Sequence, residues 1–248
     1  MKTTSLNLSM FRNASWTLLI VATVFAVSAH AQKTDSKRFN DAIKRSEAAA
    51  EVINKLPQLS PGGLPKGLIG KSEAIGIFLC KKTDLVIEHA VICPGVISRR
   101  LPSGWSWPAF YRFGAGGFGR PDPVIAGATA VILVFMNEES INWLKDAFPL
   151  KGKKGAIAGQ LRSIWEEKRA EQLNASLIAY VVLKDELAGR NFSGGTFKGF
   201  AVGPDNNINK PLYGIKGHEV LSGRSNPATS IPTELSALRE VLQNQYSR

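Results

Sequence analysis

The feature that most constrains the fold is a run of aromatic residues and glycines at positions 104–119. Its sixteen residues contain two Trp, three Phe, one Tyr and five Gly, and they include no Asp, Glu, His or Cys. Aromatic side chains bury large areas on folding, and glycines allow backbones to approach closely or to adopt a positive φ. The run therefore predicts tightly packed β-structure or a surface for an apolar ligand, and it is a poor place for acid–base chemistry.

The first 31 residues have the pattern of a secretory signal peptide. Lys2 and Arg12 precede an apolar run over 16–27, and an Ala-His-Ala sequence at 29–31 offers a cleavage site. The apolar run is shorter than the roughly 20 residues needed to span a bilayer, which disfavours the alternative of an uncleaved anchor. No Cys follows the cleavage site, so a lipid-anchored form is not expected. We expect residues 32–248 to form one periplasmic or secreted domain.

The chain is strongly basic, with 31 Lys and Arg against 20 Asp and Glu and a formal net charge of +11. Loss of Lys2 and Arg12 with the leader lowers this to +9. Basic proteins attract polyanions such as phospholipid headgroups, acidic polysaccharides and nucleic acids, and export argues against nucleic acid. The alternative is that the excess charge serves solubility alone, and the sequence leaves this open.

Two cysteines, Cys80 and Cys93, lie in adjacent apolar segments. An isolated pair often forms a disulfide in an oxidising compartment. A simple hairpin about a turn at 81–84 does not place the two cysteines opposite one another, so the residues leave the disulfide open. A metal site would need further Cys or His residues nearby, and the sequence has none there.

A basic amphipathic helix is predicted over 35–56. Phe39, Ile43, Ala50 and Ile53 recur at a spacing of three to seven residues, and a proline follows the helix. The opposite face carries Lys and Arg, which is typical of helices that lie on membranes. The apolar stripe is rich in Ala and has no cluster of Trp or Leu, which favours a surface helix packed on the core. The membrane-bound arrangement stays open as the alternative.

The remaining pattern predicts an α+β domain with a mainly antiparallel β-sheet or barrel-like core, a few short helices and a C-terminal helix. A Gly- and Pro-rich loop is expected over 57–70. Asn137 is expected to cap a short helix, and a closing helix is expected over 233–246. Short runs rich in Val and Ile predict strands over 74–80, 85–92, 95–99, 106–113, 124–135, 177–183 and 191–202.

Two phosphate-binding patterns fail on their context. The G-x-G-x-x-G pattern at 114–119 indicates dinucleotide binding only where it opens a helix, and Pro121 follows it here. The Gly-Lys-Ser sequence at 70–72 lacks the first glycine of a P-loop. Only His89 and His218 remain after the leader is removed, too few for a His-based triad or a three-His metal site. We therefore expect no enzyme activity, no catalytic residue, no metal ion and no cofactor.

Eight short motifs occur in a consistent order along the chain. The most informative is Gly104-Trp105-Ser106-x-Pro108-Ala109-Phe110 with its glycine-rich continuation; the others are LPKGL at 64–68, KSEAIGIF at 71–78, VILVFMN at 131–137, AIAG at 156–159, LAG at 187–189, GTFKG at 195–199 and LYG at 212–214. This series spans about residues 39–222 and resembles the SYLF lipid-binding domain family, which also carries an actin-binding label from a yeast member.

Three segments depart from the family pattern. The glycine-rich run continues into Arg120-Pro121-Asp122-Pro123, the segment 159–162 lacks the family's Pro, and the segment 194–196 lacks its Glu. The resemblance implies the family's fold, but these departures prevent the transfer of a detailed ligand pocket. Its eukaryotic members imply phosphatidylinositol and actin binding, and neither target is expected outside a bacterial cytoplasm. What transfers is binding to anionic lipid.

Two functions are therefore predicted. The first is an exported lipid-binding protein that recognises anionic phospholipid or phosphoinositide-like headgroups on a membrane surface; the alternative is an envelope scaffold that binds an acidic polymer or a protein partner. Trp105, Trp107 and Phe110 are equally suited to the core and to ligand contact, because a strand alternates its faces. The expected lipid-binding cations are Lys37, Arg38, Lys44, Arg45, Lys151, Lys153, Lys154, Lys168 and Arg169.

Overall fold

The computed structural model describes residues 36–55, 66–80, 91–115, 128–149, 156–160, 176–183, 200–224 and 231–246. It separates into two compact units, Met1–Asp41 and Ala42–Arg248. The first unit is described only over 36–41, which is helical. No helix in these ranges is long and apolar enough to cross a membrane.

Nine strands and six α-helices occur in the described residues. The strands are β1 (Ala74–Leu79), β2 (Val91–Leu101), β3 (Gly104–Trp105), β4 (Ala109–Ala115), β5 (Ala128–Phe135), β6 (Phe148–Pro149), β7 (Ala156–Gln160), β8 (Leu177–Leu183) and β9 (Phe200–Pro204). The helices are α1 (36–55), α2 (Lys66–Lys71), α3 (Glu138–Asn142), α4 (Asn206–Tyr213), α5 (Gly217–Leu221) and α6 (Ala237–Tyr246), with 3-10 turns at Trp143–Lys145 and Thr233–Ser236.

All nine strands belong to one sheet in the order β6-β9-β4-β2-β1-β5-β8-β7, with β3 paired to β2. The pairs are antiparallel except for β7 and β8, which run parallel. The sheet curls into a half-barrel. The prediction of an α+β fold with a mainly antiparallel, barrel-like sheet, an N-terminal helix and a C-terminal helix is confirmed.

The central strands β1 and β5 are buried along nearly their whole length. Their continuous apolar sequences fit this position, because strands that are covered on both faces have no polar alternation. Glycine is required at position 95, where β2 pairs with β1. A Cβ on Gly95 would lie 2.3 Å from the carbonyl oxygen of Ile77 and 2.6 Å from the Phe78 ring. The close approach lets the Phe78 ring pack over the neighbouring strand.

Helix α1 packs its small apolar stripe on the core. Ala42, Ala49, Ala50 and Ile53 are each at most 6% exposed. Ser46 Oγ lies in the same stripe and donates a hydrogen bond to the carbonyl oxygen of Leu235 at 2.9 Å. The sequence left open whether α1 packs on the core or lies on a membrane, and in this structure its apolar stripe packs on the core.

Cys80 and Cys93 form a disulfide with a Cα–Cα distance of 4.2 Å. Phe78 pairs with Gly95 across β1 and β2, and the same register brings Cys80 opposite Cys93. The disulfide that the sequence left open is therefore formed, although a simple hairpin with its turn at 81–84 would not have paired these two residues. The connection from Leu79 to Val91 is longer than that turn.

Several predicted boundaries were wrong. Helix α2 occupies part of the predicted loop over 57–70, and β7, α4 and α5 were not predicted at all. Helix α4 begins with two Asn residues and contains Pro211, a composition that favours loops in sequence analysis. Strand β2 begins at Val91 instead of residue 95, and it accommodates Pro94 in its ladder. The predicted strand over 85–92 and the early parts of those over 124–135 and 191–202 lie largely or wholly outside the described residues.

Candidate functional site

The aromatic run is mostly a packing element. Trp105 is 2% exposed and Phe110 is fully buried, so both belong to the core. Trp107 is half-buried, and the guanidinium of Arg239 lies 5.0 Å from the centre of its ring. Gly104 has a φ of +114°, which provides the turn from β2 into β3. The sequence suited Trp105 and Phe110 equally to the core and to ligand contact, and the structure places both in the core.

A cleft of about 660 Å³ opens between the turn from β2 to β3 and helix α6. Arg100 lies beside it and donates hydrogen bonds to the carbonyl oxygens of Ser72, Ile69 and Tyr246. Arg99 Nη2 donates to Glu138 Oε2 at 2.6 Å. Both guanidinium groups are thus held by acceptors of the protein itself, and they join the C-terminal helix and α3 to the sheet.

Two residues that line this cleft each have a buried nitrogen without a hydrogen-bond partner among the described residues. These atoms are the Nε of Arg99 and the indole Nε1 of Trp105. Because both atoms are buried, a molecule that enters the cleft cannot reach them in this conformation. The cleft is large enough for a small molecule, but the guanidinium groups of Arg99 and Arg100 are already held by acceptors of the protein.

The side chain of Asn209 closes the hydrogen-bonding edge of β4 at Phe110. Its Oδ1 accepts from the Phe110 N–H and its Nδ2 donates to the Phe110 carbonyl oxygen, both at 2.8 Å. The backbone N–H of Asp205 donates to the same carbonyl at 2.8 Å. The Asn209 side-chain amide thus makes the hydrogen bonds to Phe110 that a further residue of β9 would make, at the point where the chain leaves β9 and enters α4. Asp205 is thereby held beside β4.

Asp205 lies between two arginines that come from distant parts of the chain. Arg45 Nη1 of helix α1 donates to Oδ2 at 3.0 Å. Arg112 of β4 donates from Nε to Oδ2 at 2.9 Å and from Nη2 to Oδ1 at 3.1 Å. The Asp205 side chain is 2% exposed, whereas that of Arg112 is 54% exposed. We call these three residues the Arg–Asp–Arg cluster.

The structure places only four of the nine predicted lipid-binding cations. Lys37, Arg38 and Lys44 are exposed on α1. Arg45 is half-buried and is paired with Asp205. Lys151, Lys153, Lys154, Lys168 and Arg169 lie outside the described residues, and their role stays a prediction.

Sequence reasoning missed Arg112 and Asp205. Arg112 is an isolated charge in the apolar sequence of β4, and strand alternation places it on the same side as Phe110. An isolated charge in an apolar strand was the feature of the sequence that could have indicated Arg112 as a candidate site residue. No feature of the sequence indicated Asp205, because its partner Arg45 is 160 residues away along the chain.

The described residues contain little that resembles catalytic chemistry. No group of three or more His, Cys, Asp or Glu side chains that could hold a metal occurs in the described part of the chain. Burial raises the pKa of the Tyr111 and Tyr213 phenols well above the usual value. Their hydroxyls donate to the carbonyl oxygens of Leu144 and Pro108, so both tyrosines are structural donors. His218 is half-buried in α5, and His89 lies outside the described residues.

No protein-family model, curated protein or solved structure matches this chain. The resemblance to the SYLF family therefore rests on the ordered motifs. The structure explains why one of these motifs, the Tyr-Gly pair at 213–214, needs its glycine. The Tyr-Gly pair ends α4, where Gly214 adopts a φ of +68° and its N–H donates to the Lys210 carbonyl oxygen, as a left-handed helix cap requires.

Proposed function

We propose that the protein is an exported, SYLF-type lipid-binding protein that recognises anionic phospholipid headgroups through a basic surface. The ordered motifs and the net charge of +9 on residues 32–248 support this function. A periplasmic or secreted location follows from the predicted leader, and a disulfide between Cys80 and Cys93 suits an oxidising compartment. We propose no catalytic activity.

The observation that carries the proposal is the arrangement of helix α1. Its apolar stripe is packed on the core, while Lys37, Arg38 and Lys44 are exposed. A helix in this arrangement contacts a membrane by its charges, without insertion of its stripe. Each Lys or Arg near an anionic surface contributes about 1 kcal/mol of binding free energy. The basic segment with Lys151, Lys153 and Lys154 would add to the same attraction.

Vesicle binding by matched charge variants tests this function. We expect the Lys37→Gln/Lys44→Gln double variant to bind phosphatidylglycerol vesicles roughly 30-fold more weakly, the equivalent of about 2 kcal/mol. The control is Lys145→Gln/Lys210→Gln, which removes the same charge from two exposed lysines of other elements. Equal losses for the two variants would show diffuse attraction to the whole protein and would contradict a role for α1.

The alternative function is an envelope scaffold whose basic surface binds an acidic polymer or a protein partner. High ionic strength weakens both modes, because it screens exposed charges. Lipid binding retains a salt-resistant part wherever apolar side chains enter the interface. Binding to a soluble acidic polysaccharide that exceeds binding to anionic vesicles at equal charge would favour the scaffold.

A further inference from the structure

The Arg–Asp–Arg cluster brings two like charges onto one carboxylate oxygen. Arg45 Nη1 and Arg112 Nε both donate to Asp205 Oδ2, at 3.0 and 2.9 Å. Each guanidinium carries five N–H donors in a rigid planar fork. Because Asp205 is almost fully buried, it holds the two forks side by side in a fixed arrangement.

Part of the donor capacity of these forks is unused. Arg112 Nη1 and the Nε and Nη2 of Arg45 make no hydrogen bond to any residue that the structure describes. Arg112 is 54% exposed and Arg45 18% exposed along their side chains, so an incoming molecule can reach both. The cluster therefore presents N–H donors to solvent beside a carboxylate that already accepts three hydrogen bonds from the two arginines.

The electrostatics of the cluster favour an anion. Two guanidinium groups and one carboxylate leave one positive charge in a partly buried position. Asp205 precedes α4 but its side chain does not cap that helix, because its oxygens face the two arginines. The amides at the start of α4 add a partial positive charge to the same region. An oxyanion with a charge between −1 and −2 would balance this field.

We propose that Arg45 and Arg112 bind a phosphate group, with Asp205 as the residue that positions them. Paired Arg forks match the oxygen geometry of phosphate. A phosphomonoester carries about −1.5 to −2 at pH 7 and offers three acceptor oxygens to the two forks, whereas a phosphodiester carries −1 and offers two, so we expect the monoester to bind more tightly. The phosphate is that of a lipid headgroup or of a free phosphate ester. The lipid case rests on the proposed function, whereas the site itself does not.

Soluble probes test the site without a membrane. Residues 32–248, labelled with 15N, would be titrated with methyl phosphate and, in parallel, with dimethyl phosphate, while the side-chain Nε–H resonances of Arg45 and Arg112 are followed. We expect both resonances to shift with methyl phosphate and to shift several-fold less with dimethyl phosphate at equal concentration. Identical shifts for the two esters, or no shift of either Arg resonance, would overturn the proposal.

Vesicles distinguish the two sources of the phosphate. Vesicles of phosphatidylcholine with phosphatidic acid present a phosphomonoester, and those with phosphatidylglycerol present a diester. We expect Arg112→Gln to weaken binding to phosphatidic acid about fivefold, the effect of one surface cation, and to remove the preference for it. Arg224→Gln, the same change at a side chain that is 73% exposed, should leave that preference intact. Equal loss of preference in both variants would contradict the site.

Asp205→Asn separates positioning from charge. It adds one unit of positive charge, so simple attraction to phosphatidylglycerol should rise, whereas the ratio of affinities for phosphatidic acid and phosphatidylglycerol should fall. The added charge by itself would raise that ratio, because phosphatidic acid is the more highly charged lipid, so a fall reports the lost positioning of the two forks. Arg112→Lys keeps the charge and removes the planar fork, so it should also lower the ratio of affinities for phosphatidic acid and phosphatidylglycerol. This second variant tests the proposal if Asp205→Asn does not fold.

The outcomes separate this site from the proposed function. Methyl phosphate binding without vesicle binding would leave the site in place for a free phosphate ester and contradict the lipid function. Vesicle binding with no response of Arg45 and Arg112 to methyl phosphate would contradict the site and leave the lipid function in place.

Discussion

The substitution Asn209→Leu tests how the sheet is joined to α4. Asn209 is fully buried, and the Phe110 N–H has its side chain as the acceptor, at 2.8 Å. Leu has a similar volume, so the change removes hydrogen bonds without opening a large cavity. A buried N–H left without a partner costs about 1–3 kcal/mol, and an ordinary lost hydrogen bond about 1 kcal/mol. The Phe110 carbonyl keeps the hydrogen bond from the Asp205 N–H.

We therefore expect Asn209→Leu to lower the free energy of unfolding by roughly 2–4 kcal/mol, which corresponds to a fall in Tm on the order of 10 °C for a domain of this size. Urea denaturation followed by circular dichroism measures the free energy, and thermal scans give Tm. Asn207→Leu, at an exposed position of the same helix, is the control and should stay within about 0.5 kcal/mol of the parent. A loss at Asn209 no larger than that of the control would refute the reasoning.

Three further perturbations follow from the fold. Replacing Cys80 and Cys93 by Ser should lower the free energy of unfolding by about 3 kcal/mol, because the sequence separation is 13 residues; a reductant should then have no further effect. Gly95→Ala should cost about 1–3 kcal/mol in urea unfolding, whereas Gly70→Ala, with open space at its Cβ, should be neutral or stabilising. Because burial raises the pKa of Tyr111, stability should fall as pH rises above about 10, the unfolded value. Tyr111→Phe should make that fall shallower, and an unchanged pH dependence would contradict the assignment.

Local sequence patterns were sufficient to predict much of the sheet. The apolar run that forms β8 has the bounds Leu177–Leu183 in both the prediction and the structure, because turn-forming residues flank a continuous Val- and Ile-rich segment. Asn137 caps α3 as predicted, and its Oδ1 accepts from the Ser140 N–H. Both features depend on neighbours within a few residues, which a single sequence contains.

Features set by long-range pairing could not be predicted in the same way. The disulfide depended on the register between β1 and β2, and the assumed turn was too short to give the register that brings Cys80 opposite Cys93. The Arg–Asp–Arg cluster joins α1, β4 and the start of α4, and Arg45 and Asp205 are 160 residues apart. Sequence periodicity placed Arg45 among the outward charges of α1, and only the fold brings it to a buried carboxylate.

Binding to vesicles tests the central claim most directly. Residues 32–248 would be sedimented with phosphatidylcholine vesicles and with vesicles that also contain an anionic phospholipid, each at low and at high salt. We expect the protein to sediment with the anionic vesicles at low salt, to stay in solution with the neutral ones, and to lose most of its binding at high salt, because salt screens the exposed charges that make the contact. Failure to sediment with anionic vesicles at low salt would contradict lipid recognition and would favour the envelope scaffold.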